Sequence, residues 1–231
     1  MRAAPLERFL RLVAAGGGTD VFNPWMQRDA ANDGALNGPA ARCERLRAHL
    51  RCRAKQILIG EASGYQGCHV SGIPFTSERL ILAGMIPRVT SGRRLSTRRL
   101  PWSEPSATTV WGTLRALGIA ADTWLWNAFP WHPHQPGRLQ SNRTPTRAER
   151  LAGLAALAAL LAAAPGARVF AVGRHAELAL QTLHRPAVTL RHPSMGGARL
   201  FAAGLGAALA AQRRGPPLRA SGSATDSSRT S

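Results

Sequence analysis

The strongest constraint on the fold is an alternation of short apolar runs with longer helical patterns. Four runs have the composition and length of buried strands, and a segment of helical periodicity follows each of them. The runs are residues 56–60, 123–127, 168–173 and 187–190. Strands that alternate with helices form parallel sheets that helices cover on both faces. The sequence therefore predicts an α/β fold, a three-layer α/β/α sandwich with a central four-stranded, mostly parallel sheet.

The helical segments have recognisable starts and stops. Thr146 and Glu149 have the spacing of a capping box, which predicts a helix over 147–164 that Pro165 and Gly166 end. The other predicted helices cover residues 6–14, 39–52, 77–85, 104–117, 174–184 and 198–212.

Length and composition allow one domain with tails. The chain has 231 residues, of which 45% are hydrophobic, and this is enough for a real core. We expect residues 1–38 to form an N-terminal extension that packs on the core and residues 39–212 to form the main domain. Residues 213–231 are rich in Ser, Pro, Gly and Arg, and we expect a disordered basic tail there.

The charge of the chain indicates a polyanionic partner. Thirty Lys and Arg residues against twelve Asp and Glu residues give a formal net charge of +18, and Lys55 is the single lysine. An acidic protein does not account for a surplus of this size, which favours nucleic acid. Many of the arginines lie in residues 88–99, in residues 138–150 and in the tail.

The cysteines and apolar runs are typical of a cytoplasmic protein. Cys43, Cys52 and Cys68 include no CxxC pair and are too few for a disulfide framework or a four-ligand metal site. The longest apolar run, 151–164, is too short to cross a bilayer. We expect a cytoplasmic monomer without cofactor or membrane attachment, associated with a bacterial-type nucleoid through nucleic-acid binding.

Unusual loops follow all four predicted strands. The segments GEASGYQG, NAFPWHPH, GRH and RHPSMGG begin where the strands end. Because ligands of parallel sheets bind beyond the carboxyl ends of the strands, we expect these loops to form one site. The glycine-rich 60–67 loop lacks the Lys-Ser/Thr pair of a P-loop, which argues against nucleoside triphosphates.

Several side chains in or near these loops have two interpretations each. Phe75 can stack on a planar base or fill the core. Asn127 offers the donor and acceptor needed to recognise a base edge, or it bonds nearby backbone. His192 can donate to a developing oxyanion or serve as a structural residue. His132 and His134 can bind zinc, with His69 or Cys68 as a conceivable third ligand, or they can face solvent or DNA.

In their order along the chain, these segments resemble the uracil-DNA glycosylase superfamily. The similar segments are GEASG at 60–64, GIPF at 72–75, Asn127 at a strand end, NRTPT at 142–146, VGR at 172–174 and HPS at 192–194. The pattern is most similar to the branch with a GEAPG motif. The resemblance implies a monofunctional hydrolase, without lyase activity, that releases uracil from DNA and initiates base-excision repair. Its partner is DNA that contains uracil or another deaminated base.

The resemblance also implies roles for individual residues once the target nucleotide is flipped out of the duplex. Phe75 stacks on the base, and Asn127 recognises the uracil edge. His192 hydrogen-bonds the carbonyl oxygen that gains charge. Glu61 or a backbone group of the GEASG segment helps to position water and to stabilise the electron-poor sugar. The implied set comprises catalytic His192, Glu61 and Asn127, substrate-binding Gly60, Ala62, Ser63, Gly64, Phe75 and Asn127, and DNA-binding Arg143, Ser194, Met195 and Arg199, with Met195 as an apolar wedge and no metal ligand.

The chain departs from the family pattern in its first motif and its cysteines. Ser63 stands where the branch has proline, Ala62 where some members have a water-activating aspartate, and Gly64 where some have a tyrosine that excludes thymine. Members with an iron–sulfur cluster have four cysteines, so the three present here predict no cluster. Two alternatives remain: an inactive DNA-binding homologue, and a metal-dependent hydrolase that uses His132 and His134. Hypoxanthine and xanthine also remain open as substrates.

Overall fold

The computed structural model describes residues 3–214. Its helices are α1 Ala3–Ala15, α2 Pro39–Leu50, α3 Cys68–Ser71, α4 Glu78–Leu82, α5 Pro105–Ala116, α6 Arg147–Ala163, α7 Arg174–Thr182 and α8 Ala198–Arg214. Its strands are β1 Val21–Phe22, β2 Gln56–Ala62, β3 Thr123–Phe129, β4 His132–Pro133, β5 Arg168–Val172 and β6 Val188–Leu190.

Four of these strands form one parallel sheet in the order β3–β2–β5–β6. The register of β2 with β3 places Gly60 beside Asn127 and Ala62 beside Phe129. The predicted α/β fold is therefore confirmed, with a sheet that is parallel throughout. β2 and β3 each continue two residues beyond the predicted ends, so Glu61 and Ala62 belong to a strand.

Side chains alternate between the two faces of the sheet, and each face has its own core. Ile57 and Ile59 of β2 pack in a cluster with residues of α1, α6 and α7. Leu58 packs on the other face with residues of α5 and α8. Full burial of side chains of this size contributes about 1.5–3 kcal/mol each. The two clusters are the two interfaces of the predicted three-layer sandwich.

The N-terminal segment packs against the first of these clusters. Phe9, Val13 and Trp25 are buried there together with residues of α6. β1 pairs with β4 in a small antiparallel sheet that places Phe22 beside His132. The sequence did not predict this pair, because strands of two residues show no periodicity. The domain boundaries stay predictions, and the predicted tail lies outside the described residues from position 215 onward.

Helix α6 begins with the predicted capping box. The Thr146 hydroxyl accepts the N–H of Glu149 at 3.2 Å, and the Glu149 carboxylate accepts the N–H of Thr146 at 2.7 Å. This cap fixes the direction in which the NRTPT segment enters the helix. None of the helices within residues 3–214 combines the length and the hydrophobicity needed to cross a membrane.

Candidate active site

A cavity of about 1020 Å³ opens at the carboxyl edge of the parallel sheet. Its lining includes residues from the loops after β2 and β6, from the end of β3 and from the start of α7. The structure therefore brings together the four strand ends that the sequence singled out. Of the predicted site residues, Glu61, Ala62, Ser63, Gly64, Phe75, Asn127, Arg143, His192, Ser194 and Met195 line the cavity, whereas Gly60 and Arg199 do not.

Gly60 lies beneath the site. The side chains of Phe75 and Asn127 occupy the space that any side chain at position 60 would need. A Cβ at position 60 would lie 2.4 Å from the Phe75 ring and 2.5 Å from Asn127 Oδ1. Phe75 itself has φ +52°, a conformation that non-glycine residues adopt rarely and at some energetic cost. Gly60 thus allows Phe75 and Asn127 to meet on one wall of the cavity.

The amide of Asn127 has a fixed orientation. The Ser63 hydroxyl donates its one proton to the carbonyl oxygen of Pro130, so it can only accept from Asn127. Asn127 Nδ2 donates to this oxygen at 3.3 Å. Rotation of the amide by 180° would set Oδ1 against the hydroxyl lone pairs. The side chain is 3% exposed and lines the cavity. Because Ser63 takes one N–H, the Oδ1 and the second N–H remain for a ligand.

His192 presents a neutral N–H donor to the cavity. The backbone N–H of Ser194 donates to His192 Nδ1 at 3.2 Å, which assigns the proton of the neutral ring to Nε2. Burial lowers the pKa of His192, and Arg191 lowers it further while Glu61 raises it. The ring centroid lies 6.0 Å from that of Phe75. A Cβ at Gly197 would lie 2.0 Å from the carbonyl oxygen of His192, so the HPSMGG turn requires glycine there.

Glu61 has a structural contact that the sequence did not predict. Its Oε1 accepts the backbone N–H of His175 at 3.1 Å, in the first turn of α7. A Cβ at Gly173 would lie 2.6 Å from this oxygen, which explains the glycine of the VGR segment. The carboxylate is therefore held at the positive end of a helix dipole while it lines the cavity.

Asn142 joins two of the motif loops. Its Oδ1 accepts the backbone N–H of Tyr65 at 3.1 Å, so the NRTPT segment supports the GEASGYQG loop. Sequence reasoning assigned no role to Asn142 by itself, since the pairing joins residues 77 positions apart.

The described geometry agrees with the comparison to known protein families. The family model of the uracil DNA glycosylase superfamily matches residues 49–199, a span that includes all of the predicted site residues. The chain belongs to the uracil-DNA glycosylase superfamily. The predicted resemblance is confirmed, and the chain is accordingly a DNA glycosylase, a hydrolase whose partner is DNA.

A solved glycosylase structure has the same fold. Wild-type SMUG2 from Pedobacter heparinus matches with a TM-score of 0.61 and 16% sequence identity, over 91% of this chain and 98% of that chain. At this identity the likeness concerns the fold alone. No curated protein matches the chain.

Arg143 of this glycosylase is hydrogen-bonded within the protein, and its predicted contact with DNA phosphate stays a prediction. It forms a bidentate ion pair with Glu149 at 2.7 and 2.8 Å. Its other N–H groups donate to the carbonyl oxygens of His134, Asp20 and Thr144. The pairing lowers the pKa of Glu149 to about 2. All five guanidinium N–H groups thus have acceptors, and Arg143 organises the loop before α6.

The segment after β6 presents an apolar side chain at the rim of the cavity. Met195 is 90% exposed and has φ +51°. Arg199 and Leu200 are exposed at the start of α8. Minor-groove and architectural proteins insert exposed apolar side chains of this kind between base steps. The DNA-binding roles of Ser194, Met195 and Arg199 remain predictions.

His132 of the HPH segment is hydrogen-bonded through both ring nitrogens. His132 Nε2 donates to the carbonyl oxygen of Ser141 at 2.7 Å, and its Nδ1 lies 2.9 Å from Nδ1 of His69. His69 in turn binds Asp29 at 3.0 Å. Both nitrogens of His132 are therefore used in a buried hydrogen-bond chain. Within residues 3–214, no group of three His, Cys, Asp or Glu side chains is arranged to hold a metal ion.

The cysteines do not fit an iron–sulfur cluster. Such a cluster takes four cysteine ligands, and the chain has three. All three are free thiols, and burial raises the pKa of Cys68 to about 12.

Proposed function

We propose that this DNA glycosylase hydrolyses the N-glycosidic bond of uracil in DNA and thereby initiates base-excision repair. The observation that supports this proposal most is the meeting of Phe75, Asn127 and His192 in one cavity. They supply a flat apolar ring, an amide of fixed orientation and a neutral N–H donor. A flipped pyrimidine needs these three contacts for stacking, edge recognition and charge stabilisation.

The orientation of the Asn127 amide favours uracil over cytosine. Uracil presents an N–H beside a carbonyl oxygen, whereas cytosine presents a ring nitrogen acceptor beside an amino group. With Nδ2 held against Ser63, Oδ1 accepts the uracil N–H and the second amide N–H donates to the carbonyl. Cytosine would set donor against donor and acceptor against acceptor. A mismatch of this kind leaves buried polar groups unpaired, at about 1–3 kcal/mol each.

His192 stabilises the charge that develops as the glycosidic bond breaks. Its Nε2–H donates to the carbonyl oxygen of the departing base, and the neutral ring needs no protonation step to do so. Removal of one donor of this type typically lowers a rate by about 10²–10³. Glu61 lines the same cavity and holds the attacking water while its charge stabilises the electron-poor sugar.

The position of the single lysine side chain supports hydrolysis without a lyase step. A lyase reaction requires an amine that forms a Schiff base with the sugar. The single lysine of the chain, Lys55, directly precedes β2 at the amino edge of the sheet, opposite the cavity. It forms an ion pair with Asp122 at 2.7 Å. The lysine side chain therefore lies away from the site.

The proposal is tested with labelled oligonucleotides that contain uracil or a normal base, in single-stranded and duplex form. We expect alkali-labile abasic sites in the uracil strand, no cleavage before alkali, and full activity in EDTA. His134→Ala is the matched histidine control and should be as active as wild type. Salt-dependent DNA binding without base release would instead identify an inactive homologue. Loss of activity in EDTA would identify a metal-dependent hydrolase.

A further inference from the structure

Glu104 is a carboxyl group in the cavity that neither the motifs nor the proposed mechanism uses. It directly precedes Pro105, the first residue of α5, and it lines the same cavity as Asn127 and His192. It lies outside the motif segments on which the family resemblance was recognised.

A glycine allows this side chain to enter the cavity. A Cβ at Gly67 would lie 1.7 Å from Glu104 Oε2 and 2.9 Å from its Cδ. The carboxyl therefore occupies the space that any other residue at position 67 would take. Glu104, at the start of α5, thus packs against Gly67 at the end of the GEASGYQG loop.

The carboxyl of Glu104 has neither a cationic partner nor a hydrogen-bond donor within residues 3–214. Other carboxylates near the core have such partners, namely Asp29 with His69, Asp33 with Arg42, Glu78 with Arg94 and Glu149 with Arg143. In a chain of net charge +18, an unpaired carboxyl at a cavity is exceptional. Glu104 is half-buried at this cavity. A carboxyl that is partly withdrawn from water without a partner is unfavourable, and such groups cluster where a ligand supplies the partner.

We propose that Glu104 is a specificity-determining residue, whose protonated carboxyl donates a hydrogen bond to a carbonyl oxygen of the flipped base. This inference rests on the proposed function. Deamination replaces an exocyclic amine with a carbonyl, so an O–H donor directed at this position suits deaminated bases as a class. An ionised carboxylate repels the same oxygen. Burial raises the pKa of Glu104 to about 7, so the donor form is present near neutral pH.

Other titratable groups lie close to Glu104, and all of them are retained in the Glu104 variants. Cys68 on α3 stays protonated, and Tyr65 is on the adjoining loop. Glu61, His175, His192 and Arg143 line the same cavity. These groups are common to the wild type and to Glu104 variants, so a difference between pH profiles isolates Glu104.

The test compares kcat/KM for uracil release between pH 5.5 and 9. We expect the wild-type value to fall above about pH 7 as the donor is lost. Glu104→Gln has a permanent N–H donor and should stay level over the same range. Glu104→Ala has no donor and should be at least tenfold slower than wild type at pH 6. Glu44→Gln, the same change on the exposed side of α2, should follow the wild-type profile.

Three outcomes are decisive. Profiles of the form described support the inference. An active wild type whose Glu104→Gln and Glu104→Ala variants share its rate and pH profile would overturn the role of Glu104 and leave the proposed function intact. A wild type that releases no base at any pH would overturn the proposed function and the inference with it.

Discussion

At the scale of single residues, the site depends on contacts that orient a few nearly neutral side chains. Ser63 fixes the amide of Asn127, the Ser194 backbone fixes the tautomer of His192, and Gly60 leaves room for Phe75. Ser63 replaces a proline of the similar branch, and its hydroxyl gives the Asn127 amide a partner that proline lacks. A departure from the motif can therefore support the same recognition.

Removal of the Ser63 hydroxyl should weaken base recognition. Ser63→Ala takes away the acceptor that fixes Asn127 Nδ2, a contact worth about 0.5–1.5 kcal/mol. We expect single-turnover uracil release to slow by up to about tenfold, and the preference for uracil over cytosine to fall. Ser91→Ala, in an exposed loop, is the control. Unchanged rates and an unchanged preference in Ser63→Ala would refute the orienting role.

At the scale of elements, the sequence predicted the strands and their convergence. The four apolar runs are four parallel strands in the structure, and the carboxyl ends of parallel strands lie at the same edge of a sheet.

The sequence could not predict the contact of Glu104 with Gly67, because that contact joins two elements that are distant in sequence. The pairing of β1 with β4 was missed because each strand has two residues. The ion pair of Arg143 was missed because the capping-box pattern accounted for Glu149 with its backbone contacts alone.

The position of Arg143 predicts a particular salt dependence of DNA binding. A phosphate contact contributes about one unit to the slope of log Kd against log salt concentration. Arg143→Met should leave the slope unchanged and lower thermal stability, because it leaves the Glu149 carboxylate without its ion pair. Arg199→Met, at an exposed position, should lower the slope by about one. Equal reductions in both variants would show that Arg143 contacts phosphate after all.

At the scale of the whole molecule, buried histidines link the N-terminal half of the chain to the sheet. His49 of α2 accepts the backbone N–H of Leu125 in β3 at 2.9 Å, and His132 is hydrogen-bonded to His69 and Ser141. Burial lowers the pKa of both His49 and His132 to about 3. The folded protein therefore holds these rings neutral, at pH values where the unfolded chain would protonate them.

Stability should consequently fall as pH decreases. A histidine with an ordinary pKa of about 6.5 in the unfolded chain binds its proton there first, so its contribution is complete above about pH 6.5 and declines toward pH 3. We expect the free energy of urea unfolding to decrease between pH 7 and 4.5, and less steeply in His49→Gln. Glu104 acts in the opposite direction over this range, since its pKa is raised. The same slope in wild type and His49→Gln would contradict the assignment.

The most direct test of the account is the single-turnover rate of uracil release from duplex DNA by the wild type and by His192→Ala. The neutral Nε2–H donor predicts efficient release by the wild type and a loss of about 10²–10³ in the variant. Thermal unfolding of both proteins, expected at similar temperatures, separates catalysis from folding. Equal rates in the two proteins, or no release of uracil by the wild type, would contradict the central claim.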